Sequence, residues 1–144
     1  MIAAREVAAV LGGEALLRRK IRTFDDLESL VARGLPKKAA FNVVAALRAS
    51  GDARGRLLAY IAAPATLKRR RERLKGDESE RTERLARVIA TARHVWGEEE
   101  SARKFLNEPH KMLRGRTPIE VAMSELGARR VEALLWDIYY GFPV

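Results

Sequence analysis

The chain has 144 residues, 47% of them hydrophobic and 33% charged, with a formal net charge of +9. That length suits one globular domain or two small ones, and the absence of cysteine excludes disulfides and thiolate metal sites. No run of about 18 apolar residues occurs and the N-terminus lacks a long apolar core, so neither a membrane span nor a secretory leader is expected and the protein is read as cytoplasmic.

Segments rich in Ala, Leu and Arg recur at helical spacing, and no alternating Val, Ile, Thr or aromatic run is bounded by hairpin turns, which predicts an all-α fold. The positive charge is concentrated. Arg48 to Lys75 carries nine bases and two acids, whereas Glu98 to Val144 carries seven bases and eight acids. A basic excess confined to one central segment has the distribution of a nucleic-acid footprint.

Taken in order, residues 1–22 are ambiguous. Arg5 to Leu11 offers two helical turns before Gly12-Gly13, but the cluster Arg18, Arg19, Lys20 and Arg22 blurs the register, and the segment is expected to be partly disordered. Thr23 then caps a helix with Asp25 and Asp26 in its first turn, Leu27, Leu30 and Val31 on its inner face and Gly34 at its end. Pro36 opens a second helix whose inner face is Ala40, Phe41, Val43, Val44 and Leu47. Arg54 to Ile61, the break Ala62-Ala63-Pro64 and the stretch Ala65 to Arg71 form a helix-turn-helix pattern, with the third piece as recognition helix. Thr66, Lys68, Arg69, Arg70, Arg71 and Arg73 are its candidate DNA contacts.

Leu85, Val88, Ile89, Ala92, Val95 and Trp96 make the cleanest apolar stripe in the chain. Asp77 and Glu80 are expected to start that helix and Gly97 to end it. Beyond it, Glu98-Glu99-Glu100 suits a first turn, Asn107-Glu108-Pro109 a stop, and His110 to Arg116 a loop. Thr117-Pro118-Ile119-Glu120 combines a cap, a proline at the first position and a glutamate at the third. Ser124 caps a last helix carrying Val131, Leu134, Leu135 and Ile138, and four of the nine aromatic residues of the chain fall after it begins to end, at Trp136, Tyr139, Tyr140 and Phe142.

Enzymatic signatures are absent. His94 and His110 have no metal-spaced partner, Gly12-Gly13 and Gly115 follow no strand, and the carboxylate pairs sit at helix starts, where the dipole explains them. Neither a catalytic residue nor a cofactor or metal is expected, and a small helical enzyme is the least favoured class.

At Phe105-Leu106-Asn107-Glu108-Pro109, Leu113-Arg114-Gly115-Arg116-Thr117-Pro118, Gly127-Ala128-Arg129-Arg130-Val131-Glu132 and Ile138-Tyr139-Tyr140-Gly141 the chain resembles the Xre/MbcA/ParS-like antitoxins. Gly34-Leu35-Pro36-Lys37 and Arg84-Leu85-Ala86-Arg87-Val88 extend the likeness upstream, over roughly residues 23–144. Ser124 stands where an Asp-Thr pair is more usual, and Trp136 and Tyr139 replace smaller or polar residues.

The resemblance implies an N-terminal Xre-like helix-turn-helix part at 23–97, after the N-terminal segment 1–22, and a small C-terminal helical toxin-binding domain at 98–144. It implies an antitoxin of a type II toxin-antitoxin system, a homodimer that occludes the active site of a RES-type, NAD-acting toxin and represses its own operon by binding operator DNA. Candidate toxin contacts are Asn107, Arg114, Gly115, Arg116, Thr117, Trp136, Tyr139, Tyr140 and Phe142. Aromatic rings and arginine supply most interface hot spots, which is why the tail and the 114–117 loop are singled out. The alternative is a helix-turn-helix regulator whose C-terminal part only dimerises.

Overall fold

The structure is a computed structural model describing residues 1–144. It is entirely helical: α1 (Ala4–Leu11), α2 (Gly13–Leu17), α3 (Phe24–Arg33), α4 (Lys37–Ala46), α5 (Gly51–Ile61), α6 (Pro64–Arg69), α7 (Gly76–Trp96), α8 (Glu99–Asn107), α9 (Pro118–Val121) and α10 (Glu125–Tyr139), with a single 3-10 turn at Lys111–Leu113. None of the helices is long and apolar enough to cross a membrane.

The 21-residue α7 is the axle. Leu85, Val88, Ile89 and Ala92 are buried as the stripe requires, but Ser79, Thr82, Ala86, Ala90 and Thr91 are buried too, because α1, α3, α4, α5, α8 and α10 all pack against α7. The small side chains let those neighbours approach on faces that a single-sided stripe would leave to solvent. Thr82 and Thr91 stay satisfied by donating to the carbonyls of Glu78 and Arg87 one turn back, both at 2.8 Å. At the far end of the stripe Val95 is half-buried and Trp96 is 41% exposed.

Several local signals hold. Thr23 accepts from the Asp26 amide at 3.1 Å while the Asp26 carboxylate accepts from the Thr23 amide at 3.1 Å. Ser124 accepts from the Gly127 amide at 3.0 Å, and Gly97 closes α7 at φ 79°. Others shift. The start of α7 is set by Glu78, whose carboxylate accepts from the Lys75 amide at 2.8 Å, so Asp77 lies inside the first turn and is not its cap. Pro36 sits one residue before α4. The promising start at Thr117 opens only four residues of helix.

The N-terminal segment is ordered, contrary to the expectation of partial disorder. Ile2, Val7, Leu11, Leu17 and Ile21 are buried, α1 lies against α7 and α4, and Asn42 donates to the Leu11 carbonyl at 3.0 Å. An eight-residue helix has little stability alone. Here burial of its apolar face on α7 supplies it. The core likewise runs unbroken from Ile2 to Leu135, so a boundary at 97/98 divides the chain at a turn without dividing the core.

Candidate functional site

The basic run begins on α6, which the buried Leu67 pins against the body of the protein. The helix ends at Arg69, two residues before the expected Arg71, because Arg70 turns to extended backbone (φ −64°, ψ 127°). Residues 72–74 then lie antiparallel to 35–37: the Lys37 amide donates to the Glu72 carbonyl at 2.8 Å and the Leu74 amide to the Leu35 carbonyl at 2.9 Å. Gly34 makes this approach possible. At φ 104° it is in a conformation that side chains disfavour, and a Cβ there would stand 2.5 Å from the Leu74 carbonyl oxygen.

The six candidate DNA contacts therefore separate. Lys68, Arg69 and Arg71 are exposed, and Thr66, half-buried, accepts weakly from Arg69 at 3.4 Å. Arg70 is engaged within the chain: its guanidinium forks onto Glu78 with bonds of 3.0 and 2.9 Å, and Glu78 is only 5% exposed. The Arg70 hydrogen bonds, against the opposing effect of burial, hold the Glu78 carboxyl below the usual carboxylate range, and the same contact raises Arg70. This pair fastens the end of α6 to the start of α7 and removes Arg70 from the free cations. Arg73 is exposed but reaches back to the Gly34 carbonyl at 3.4 Å.

The C-terminal candidates also divide. Asn107 is occupied internally, its amide donating to the Arg103 carbonyl at 3.0 Å and the Leu47 carbonyl at 3.2 Å, which ties α8 to the end of α4. Thr117 caps α9, accepting from the Glu120 amide at 3.3 Å and donating to the Glu120 carboxylate at 2.9 Å. Arg116 donates to the Leu113 carbonyl at 3.2 Å. Arg114, at φ 58°, and Gly115, at φ 77°, form the exposed tip of a loop closed by the His110 amide on the Arg116 carbonyl at 3.1 Å. Among Arg114, Arg116 and Thr117, Arg114 is the one whose side chain makes no hydrogen bond within the chain.

The tail is ordered and aromatic. Trp136, Tyr139 and Tyr140 form one group, with ring centroids 5.4 Å apart for the first pair and 5.2 Å for the two tyrosines, both nearly perpendicular. Tyr139 is 49%, Tyr140 64% and Phe142 59% exposed, while Trp136 is half-buried, and the Phe142 amide donates to the Asp137 carbonyl at 2.8 Å. His94 underlies the group, 5.5 Å from Trp136 and 5.6 Å from Tyr139, with its Nδ1 3.0 Å from the Glu6 carboxylate. Nothing in the sequence marks that contact, which joins residues 88 apart. A second aromatic group, Trp96, Phe105 and His110, borders a cleft of about 500 Å³ that Ile138 and Val144 also line. The i to i+9 offset of Trp96 and Phe105 across a helix break hid it.

Between the two regions runs a charged seam. Arg87 binds Glu83 at 2.8 Å and Glu132 at 2.7 Å, while Arg84 binds Glu125 at 2.9 Å and the Tyr60 hydroxyl at 2.6 Å, joining α7 to α10 and α5. Burial pushes the Glu83 carboxyl up, with Glu132 and Glu125 adding to the effect and Arg87 opposing it. At the next turn Gly127 packs so closely on α9 that a Cβ would stand 1.8 Å from the Val121 carbonyl oxygen.

Residues 26–87 match the family model of the antitoxin Xre-like helix-turn-helix domain, and residues 91–141 that of the antitoxin Xre/MbcA/ParS C-terminal toxin-binding domain. The chain is 38% identical over 80 residues to the protein named Antitoxin Xre of Pseudomonas putida, an alignment covering 54% of this chain and 50% of that protein. It thus spans about half the length of that relative.

Proposed function

From the premise that the chain belongs to the Xre/MbcA/ParS antitoxin family by both its helix-turn-helix and its toxin-binding domain, we propose that it neutralises a RES-type, NAD-acting toxin and represses its own operon. It acts as a binding protein and not as a catalyst. The toxin is held by the C-terminal domain, operator DNA by α5 and α6. A two-fold homodimer spaces two recognition helices about one DNA turn, ~34 Å, apart.

The observation that carries this reading is the tail: the matched toxin-binding domain ends in an aromatic group with Tyr139 49% and Tyr140 64% exposed. Rings already ordered in the free protein lose little entropy on docking, and aromatic anchors backed by an arginine such as Arg114 have the composition of an interface hot spot. A group of this kind is suited to enter a nucleotide cleft and exclude its substrate.

The test is to co-express the chain with the product of the adjacent reading frame and follow cellular NAD. A stable complex in which this chain restores NAD is expected. If the two proteins do not associate, or associate without change in NAD consumption, the antitoxin reading or its RES partner respectively fails, and a DNA-binding dimer without a toxin takes its place.

A further inference from the structure

Residues 1–25 precede both family matches, yet α2 delivers Arg18 to a groove shared with the end of the basic run. The groove, of about 440 Å³, lies between α2, the start of α4 and the extended segment after α6. Five cations line it, Arg18, Lys37, Lys38, Arg71 and Arg73, against one acid, Glu72. None of the five takes part in an ion pair of the chain. Lys37 is engaged on the Arg70 carbonyl at 3.2 Å and Arg73 on the Gly34 carbonyl. Arg18, Lys38 and Arg71 stand exposed with their charges uncompensated.

We propose that this groove carries the phosphodiester backbone of DNA beside the recognition helix, with Arg18 as a contact from outside the matched helix-turn-helix domain and Lys38 as one from α4 within it. The inference rests on the reading of α5 and α6 as DNA-binding. Arg71 lines the groove two residues after α6 ends, next to the segment 72–74 that pairs with 35–37, so the groove follows the exposed Lys68 and Arg69 along the chain with Arg70, committed to Glu78, between them. Its cations come from three separate elements, which suits a chain of phosphates better than one compact anion. The half-buried apolar side chains Leu16 and Phe41 also line the groove and offer the sugar faces a surface. The αL conformation of Arg18 (φ 58°) aims an exposed side chain off the end of α2.

The test uses the full-length protein and a labelled duplex from upstream of its own reading frame, with a scrambled duplex beside it, across a salt series. Arg18→Asn combined with Lys38→Ala is the informative variant, since asparagine tolerates the αL conformation and alanine suits a helix. Losing two phosphate contacts lowers the log–log salt slope by about 1.8 and weakens both duplexes alike, whereas Arg18→Lys with Lys38→Arg keeps the slope. Circular dichroism verifies folding. An unchanged slope in the first variant, with a lowered slope in Lys68→Ala/Arg69→Ala, overturns the groove and leaves the helix-turn-helix reading intact. Unchanged slopes in both overturn that reading as well. Saturable binding of inorganic phosphate that the first variant abolishes, with its DNA slope unchanged, assigns the groove to a free anion and overturns the proposal.

Discussion

The basic run and the aromatic tail look alike as sequence signals, each a dense cluster of one side-chain type, but the fold treats them differently. In the run it consumes part of the cluster: Arg70 is fastened to the buried Glu78, and Arg73 reaches the Gly34 carbonyl. In the tail it leaves the cluster largely outside, with Tyr139, Tyr140 and Phe142 exposed over the half-buried Trp136. A charge that must join two helices is neutralised where it lies, whereas an aromatic ring past the end of the core can be left over. Charge density along this chain therefore overstates the number of free cations, whereas the aromatic density at its end leaves three rings exposed.

The comparison can be broken most severely at the glycines that set each region in place. Gly127→Ala puts a Cβ into the Val121 carbonyl and is expected to cost about 3 kcal/mol or more, read as a fall in the thermal midpoint. Because the core is continuous, the whole chain should melt in one transition. Two transitions, with the helix-turn-helix part unaffected, would mean that the two regions are energetically separate.

Deleting Tyr140 to Val144 is expected next in size. It removes exposed rings without opening the core, so circular dichroism and DNA binding should be unchanged while affinity for the toxin falls by about 2–4 kcal/mol, roughly 30- to 800-fold. Titration against the NAD consumption of the proposed toxin measures it. Equal inhibition by the full and shortened chains would show that the tail does not anchor the partner.

The finest cut lies between neighbouring arginines. Arg71→Ala should lower the salt slope of DNA binding by about 0.9 with the thermal midpoint unchanged, whereas Arg70→Ala should lower the midpoint. The pH dependence sharpens it. Glu78 titrates lower in the folded than in the unfolded chain, so its contribution is complete above the ordinary carboxylate range and is lost as pH falls through its folded value. Arg70→Ala should therefore flatten the acid limb of the stability curve, and Arg71→Ala should leave it as it is. Identical behaviour of the two variants would erase the distinction.

Much of the C-terminal domain was legible because its signals are local. A Ser124 hydroxyl and a Gly127 amide three residues apart meet in any helix that starts there, and the Gly-Ala-Arg-Arg-Val-Glu and Thr-Pro motifs carry the family likeness that the domain matches bear out. The candidate sites were legible as neighbourhoods and less so as residues. Asn107 and Thr117 belong to conspicuous motifs, yet one ties α8 to Leu47 and the other caps α9, so their place in the motif is explained by the fold.

By itself the sequence determined the helical class, the placement of several helix ends and the separation of a basic centre from an aromatic end, since each follows from side chains close to one another along the chain. Tertiary structure decided what those side chains are free to do. It committed Arg70 to a fastening on Glu78, paired 72–74 with 35–37 where a longer α6 was expected, and ordered α1 by burying it on α7 and α2 by packing it on α1. It also brought Arg18 beside Arg71. Each of these outcomes joins groups too distant along the chain for local spacing to encode, or depends on burial that only the assembled core creates.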